Sequence, residues 1–261
     1  MQKLISKSLL LLVMLLPFAN SCPSQTVETS SAVQDPNYAA DYIAAKALQA
    51  ALKENNRKAV AALIEYPLRR DEPLRAIKNN KEFLKHWQEY FDAASTKAVL
   101  TASAEQFGWR GVALKGGIVW FNNGHISAIN LQTTAYLKAF EAAKLQDSSR
   151  LYASARGYDK ITYQCRTQSR FVRIQQHGDD LRYFAWKNGS SLKAKPELEL
   201  KGGKYDAQGS GGNFDLDFEN NGFTYSLNVG HNLCGEDCND HLVVQQGSKI
   251  QSSEVCTEVK P

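Results

Sequence analysis

Four of the five cysteines, Cys165, Cys234, Cys238 and Cys256, fall within the last hundred or so residues, and Cys22 stands alone near the start. An even late set suits two disulfides if the chain matures in an oxidising compartment. Cys165 lies at the first of a series of short strands and Cys256 at the end of the last. Joining them would staple the two ends of one domain and contribute on the order of 4 kcal/mol in the chain-entropy model. Cys234 and Cys238 sit in a single loop, His231-Asn-Leu-Cys-Gly-Glu-Asp-Cys-Asn-Asp-His241. Two chemistries suit that loop. The two Cys and two His could surround zinc, or the two Cys could close a small disulfide at a hairpin tip. Zinc sites usually draw their ligands from two separate turns, and the cysteine count closes when Cys234 takes Cys238. The expectation is two disulfides, no metal and no cofactor.

The compartment is read from the other end. A basic start (Lys3, Lys7), an apolar run from Leu9 to Phe18 and a small-residue exit, Ala19-Asn20-Ser21, form a secretory leader over 1–21. The run is too short for a permanent span. Cys22 then stands where a bacterial lipoprotein is cleaved and acylated, although Ala19 and Ser21 equally suit ordinary signal peptidase. Residues 22–36 are polar and small without an apolar period, as a flexible tether would be. The expected address is the periplasm, with the chain held as an outer-membrane lipoprotein that contacts the membrane only through its acyl anchor.

The remaining chain is long enough for two ordinary domains. Its 43% hydrophobic and 22% charged residues are those of a globular protein. The formal charge of +4 falls by two when Lys3 and Lys7 leave, and no basic stripe or stacking motif points to nucleic acid. From Asn37 the apolar period is helical, with Tyr38, Tyr42, Ala45, Leu48 and Leu52 on one face and further helices over 59–64 and 81–94. In the last, Phe83, Trp87, Tyr90 and Phe91 form a stripe that reads as core. After Gly108 the period drops to two, with strands over 109–114, 118–121 and 125–131, and 133–155 is helical again. The expectation for 37–156 is an α+β unit, helices against an antiparallel meander.

From Ile161 to Val255 nine short strands are separated by turn signals at Asn188-Gly189, Gly202-Gly203, Gly211-Gly212 and Asn221-Gly222. That density predicts a small antiparallel β-barrel or sandwich over 157–261.

Candidate chemistry is sparse. His86, Glu89, Asp92 and His125 are possible acid–base groups, with His86 and Glu89 three apart on one helix. Arg69-Arg70-Asp71-Glu72 reads first as a solvated loop. No nucleophile elbow, phosphate loop, Rossmann glycines or zincin motif is present, so no catalytic residue is assigned and an enzyme is not expected.

Two resemblances add to this reading. The helix-to-meander order over 38–132, with Trp109-Arg110-Gly111 and the closing Asn123-Gly-x-Ile-x-Ala-Ile129, resembles nuclear-transport-factor-2-like cone domains. That fold hosts enzymes and binding modules alike. The second half, with Tyr163-x-Cys165 opening it and Cys256 closing it, resembles the membrane-bound lysozyme-inhibitor type of periplasmic barrel. That family's Ser-Gly-x-x-Tyr loop, whose Ser enters the lysozyme cleft, is similar to Ser210-Gly211-Gly212-Asn213-Phe214 here, with Phe in place of Tyr. The Lys of its second motif has no counterpart, Thr224 or Ser226 standing near that place.

The resulting expectation is an inhibitor or immunity-type protein. Its partner would be a cell-wall hydrolase or a delivered toxin, contacted through Ser210, Gly211 and Phe214. The rival is a small-ligand or enzymatic site between the Trp87 helix and the Trp120 sheet.

Overall fold

The computed structural model describes residues 36–209, 212–230 and 239–259. The leader, Cys22, Ser210, Gly211, Cys234 and Cys238 lie outside them.

The first region begins with α1 (Ala39–Lys53) and α2 (Arg57–Ala62), then α3 (Asn80–Lys85), α4 (Trp87–Tyr90) and α5 (Ala93–Thr101). Side chains of polar residues fix most of these starts. Asn56 and Asn79 accept hydrogen bonds from the amides of Ala59 and Glu82, and Asp92 with Ser95 forms a reciprocal capping box at α5. The antiparallel sheet runs β1 (Ala104–Gln106), β2 (Val112–Leu114), β3 (Val119–Asn122), β4 (His125–Ile129), in that spatial order. Buried Asp41 of α1 accepts from the Gly124 amide at 2.7 Å, which pins the β3–β4 turn to the helix. Gly124 has φ +78°, and a Cβ there would lie 3.4 Å from the Ala40 methyl. The sequence's Asn-Gly pair therefore meets both a conformational and a steric demand. Phe83, Trp87, Tyr90 and Phe91 are buried together in the core of this region, as the stripe predicts.

α6 (Thr134–Ser148) follows, capped by Thr133, whose hydroxyl also donates to the Gln88 carbonyl at 2.8 Å. All nine strands expected after residue 160 form. They are β5 (Lys160–Arg166), β6 (Arg170–His177), β7 (Asp180–Lys187), β8 (Leu198–Leu200), β9 (Lys204–Gln208), β10 (Asn213–Asn220), β11 (Phe223–Val229), β12 (His241–Gln246) and β13 (Lys249–Val255). A short β14 (Thr257–Glu258) ends the described chain.

These strands do not make a closed barrel. They form two five-stranded antiparallel sheets, ordered β14-β5-β6-β7-β8 and β13-β12-β11-β10-β9, which share one core. The chain passes between the sheets at two corners. At the first, Gly203 lies against the Phe218 ring so closely that a Cβ would come within 2.2 Å of it. At the second, Cys256 separates β13 from β14 and is disulfide-bonded to Cys165 of β5 across 5.4 Å between Cα atoms. The outer face of β6 and β7 is also apolar. Phe171, Phe184 and Trp186 bury it beneath Leu151, Ala155 and Tyr158. The sheet containing these strands is thus covered on both faces, whereas alternation in a small barrel would leave the outer one wet. The near-continuous apolar runs Phe171–Ile174 and Tyr183–Trp186 record this layering. No helix among the described residues is long and apolar enough to cross a membrane.

Candidate ligand site at the Pro67–Lys78 segment

The segment between α2 and α3 is clasped at its neck. Leu68 and Ile77 exchange backbone hydrogen bonds, both 2.9 Å, and their side chains are buried. Everything between them is held out as a loop against α4, α6 and β5, and its charged residues divide into two sets. Arg70 turns inward. Its side chain is only 4% exposed, it pairs with Glu89, and its guanidinium lies over the Tyr136 ring at 5.6 Å. Glu89 also meets His86 Nδ1 at 2.7 Å. Asp71 accepts from the Tyr136 hydroxyl at 2.7 Å, and Glu72 accepts from the Gln164 amide of β5 at 2.6 Å. Arg69 and Arg75 point outward without an ion pair or side-chain hydrogen bond among the described residues.

Three cavities meet at this segment, and Arg69 lines all of them. One of about 350 Å³ lies at the end of the first core, walled by Arg69, Arg70, Tyr90, Leu131 and Tyr136. A second, of about 250 Å³, opens toward Thr162 and Tyr163 of β5. The third and largest, about 910 Å³, lies between the segment and α6.

Three buried polar atoms around the two smaller cavities lack a hydrogen-bond partner in the protein: Arg70 Nε, the Tyr90 hydroxyl and Thr162 Oγ1. A buried donor without a partner costs about 1–3 kcal/mol, so three around one segment call for an explanation. Burial pushes the Tyr90 hydroxyl up to about 12. Burial, together with the bond to Asp71, raises the Tyr136 hydroxyl as well. Both phenols are therefore protonated at neutral pH.

The residues singled out from the sequence are distributed differently. His86 and Glu89 are paired as their spacing suggests, but in a half-buried triad completed by Arg70. Asp92 is the cap of α5, and its carboxyl is held below its usual range by hydrogen bonds from Ser95. His125 is exposed at the start of β4. Trp87 is packed against Phe83 and Phe91 with Arg57 over its ring, and Trp120 packs on Phe107. A cavity of about 560 Å³ is lined by Trp87, Arg57 and Phe91 without Trp120, and a separate one lies at Tyr90 and Tyr136. Phe214 is half-buried on β10, stacked on Tyr205 at 5.2 Å and edge-on to Tyr163 at 6.3 Å. No group of three or more metal-ligating side chains occurs among the described residues, and the 231–238 part of the His231–His241 loop lies outside them. Tyr90 and Tyr136 were hidden within core-like apolar patterns. The readable signal was two prolines bracketing Leu-Arg-Arg-Asp-Glu, a charged loop held at both ends. Comparison with known proteins returns no matching family model, no matching curated protein and no matching solved structure.

Proposed function

We propose that this is a secreted binding protein of the bacterial cell envelope, exported by its 1–21 leader and tethered through acylated Cys22. Its ligand is a small carboxylate held at the clasped segment. The observation that carries this reading is that two residues lining the 350 Å³ cavity each carry a buried, uncommitted group able to donate, Arg70 Nε and the Tyr90 hydroxyl. Arg69 adds a cation beside them, while Glu89 and Asp71 already have partners. The complementary ligand offers negative oxygens to these donors and an apolar body to Ile129 and Leu131. Binding without turnover is the function proposed.

Benzoate is the probe. Calorimetric titration of the mature protein should give saturable binding that weakens about tenfold, or ~1.4 kcal/mol, in Arg69→Gln. Absence of benzoate heat, with isobutyrate equally silent, would remove the carboxylate reading. The inhibitor reading of the sequence rests on Ser210 and Gly211, which lie outside the described residues. It also rests on Phe214, whose ring packs on Tyr205 and Tyr163.

A further inference from the structure

The 910 Å³ cavity between the clasped segment and α6 differs in character from its neighbours. Its rim carries four cations, Arg69, Arg75, Lys78 and Arg150, all exposed. None makes a side-chain hydrogen bond or ion pair among the described residues. One carboxylate faces them, that of Asp147, and it is already committed. It pairs with buried Arg173 at 2.5 Å and accepts from the Tyr158 hydroxyl at 2.7 Å. The four cationic side chains are therefore unpaired among the described residues, Glu82 meeting only the backbone amide of Lys78 at 2.7 Å. Such a concentration in a concave, partly apolar site repels itself unless a counter-charge arrives.

The floor narrows the choice of counter-charge. Leu74, Ala76 and Ala143, with Pro67 and Pro73 beside them, present apolar surface beneath the charged rim. The volume far exceeds what one oxyanion fills and lies near the upper end of ~300–1,000 Å³ for ligand sites. A hydrated polyphosphate would use the rim and waste the floor. An extended peptide with Asp or Glu flanking an aliphatic residue uses both. The walls are also fixed in advance, one by the Leu68–Ile77 clasp and the other by the Asp147–Arg173 pair, so little ordering is required on binding.

We propose that this groove binds an acidic, aliphatic-bearing peptide segment of a protein partner, with Arg75, Lys78 and Arg150 pairing its carboxylates and Leu74 receiving its central side chain. The site is concave and receives a partner's chain, in contrast to a loop that plugs a partner's cleft.

The test is fluorescence anisotropy on the full mature protein with labelled Asp-Glu-Leu-Glu-Asp. Saturable binding is expected, weakened about tenfold or more between low and physiological salt because the paired charges are exposed. Replacing the peptide's Leu by Ser should weaken it severalfold. The triple variant Arg75→Glu, Lys78→Glu, Arg150→Glu should abolish it, and Arg75→Lys alone should retain most of it. All three positions are exposed, so circular dichroism should be unchanged. If the triple variant fails to fold, the salt dependence and the Leu-to-Ser peptide decide on the wild-type protein. Absence of saturable binding would overturn the proposal. So would indifference to the Leu-to-Ser change, or tripolyphosphate binding more tightly than the peptide, which would make the groove a phosphate site.

Discussion

Arg70 and Arg173 are both buried arginines paired with a carboxylate, and the difference between their surroundings separates the two halves of the molecule. Arg173 sits on the covered outer face of β6 and is fully satisfied. It pairs with Asp147, donates to Gln164 at 2.9 Å and lies over the Tyr158 ring at 4.9 Å. Gln175, with its carbonyl turned to the guanidinium, accepts from Nε, and its amide donates to the Ala155 carbonyl at 3.1 Å. This cluster ties α6 and the 151–158 cover to the sheet. Arg70 keeps Glu89 but leaves Nε without a partner beside a cavity. A buried charge whose every donor is used holds a fold together. One with a donor to spare, next to space, is arranged for something else.

Breaking the satisfied side should cost most. Arg173→Met strands Gln164 and Gln175 and leaves Asp147 only the Tyr158 hydroxyl. Urea unfolding should show a loss of about 3–5 kcal/mol. The Cys165→Ala, Cys256→Ala double variant removes the corner staple over a separation of 91 residues, and should lose on the order of 4 kcal/mol or somewhat less. A loss under ~1 kcal/mol in either would place the stability of the sandwich elsewhere.

A smaller effect sharpens the contrast. The Tyr183 hydroxyl is also buried without a partner, but it lies in the core between the two sheets and lines none of the three cavities. Tyr183→Phe should therefore stabilise by about 1 kcal/mol and leave benzoate affinity unchanged. Weakened benzoate binding would break the division. The smallest effect is a pH dependence at His177. Burial, then Arg182, holds its imidazole below the ordinary 6.5. The unfolded chain takes up the proton first. This contribution is whole above pH 6.5 and drains as pH falls through the folded value. His177→Gln should flatten that part of the stability profile.

Much of this architecture was legible in the sequence for local reasons. The nine strands are bounded by glycine turns, and the aromatic stripe of 83–91 has a helical period. The Cys165–Cys256 pair follows from their places at the ends of the series. What was missed depended on tertiary context. α5 gives little sequence signal, because the capping box of Asp92 and Ser95 opens a run rich in Ala, Thr and Ser with little apolar contrast. Of the two arrangements expected for 157–261, barrel or sandwich, the strands leave the barrel open, and runs such as Tyr183–Trp186 do not reveal from sequence which layer covers their second face. The site was least legible of all. Tyr90 and Tyr136 lie 46 positions apart in apolar surroundings, and Arg69-Arg70 looks like any solvated pair until the Leu68–Ile77 clasp turns one inward and one outward.

We propose that the Tyr90 hydroxyl is left unpaired in the free protein for the sake of a ligand. Tyr90→Phe tests it on two axes at once, urea unfolding and benzoate titration. A gain of about 1 kcal/mol in stability together with weaker benzoate binding is expected. A loss of stability with unchanged benzoate affinity would contradict it, and would make the hydroxyl an ordinary structural group.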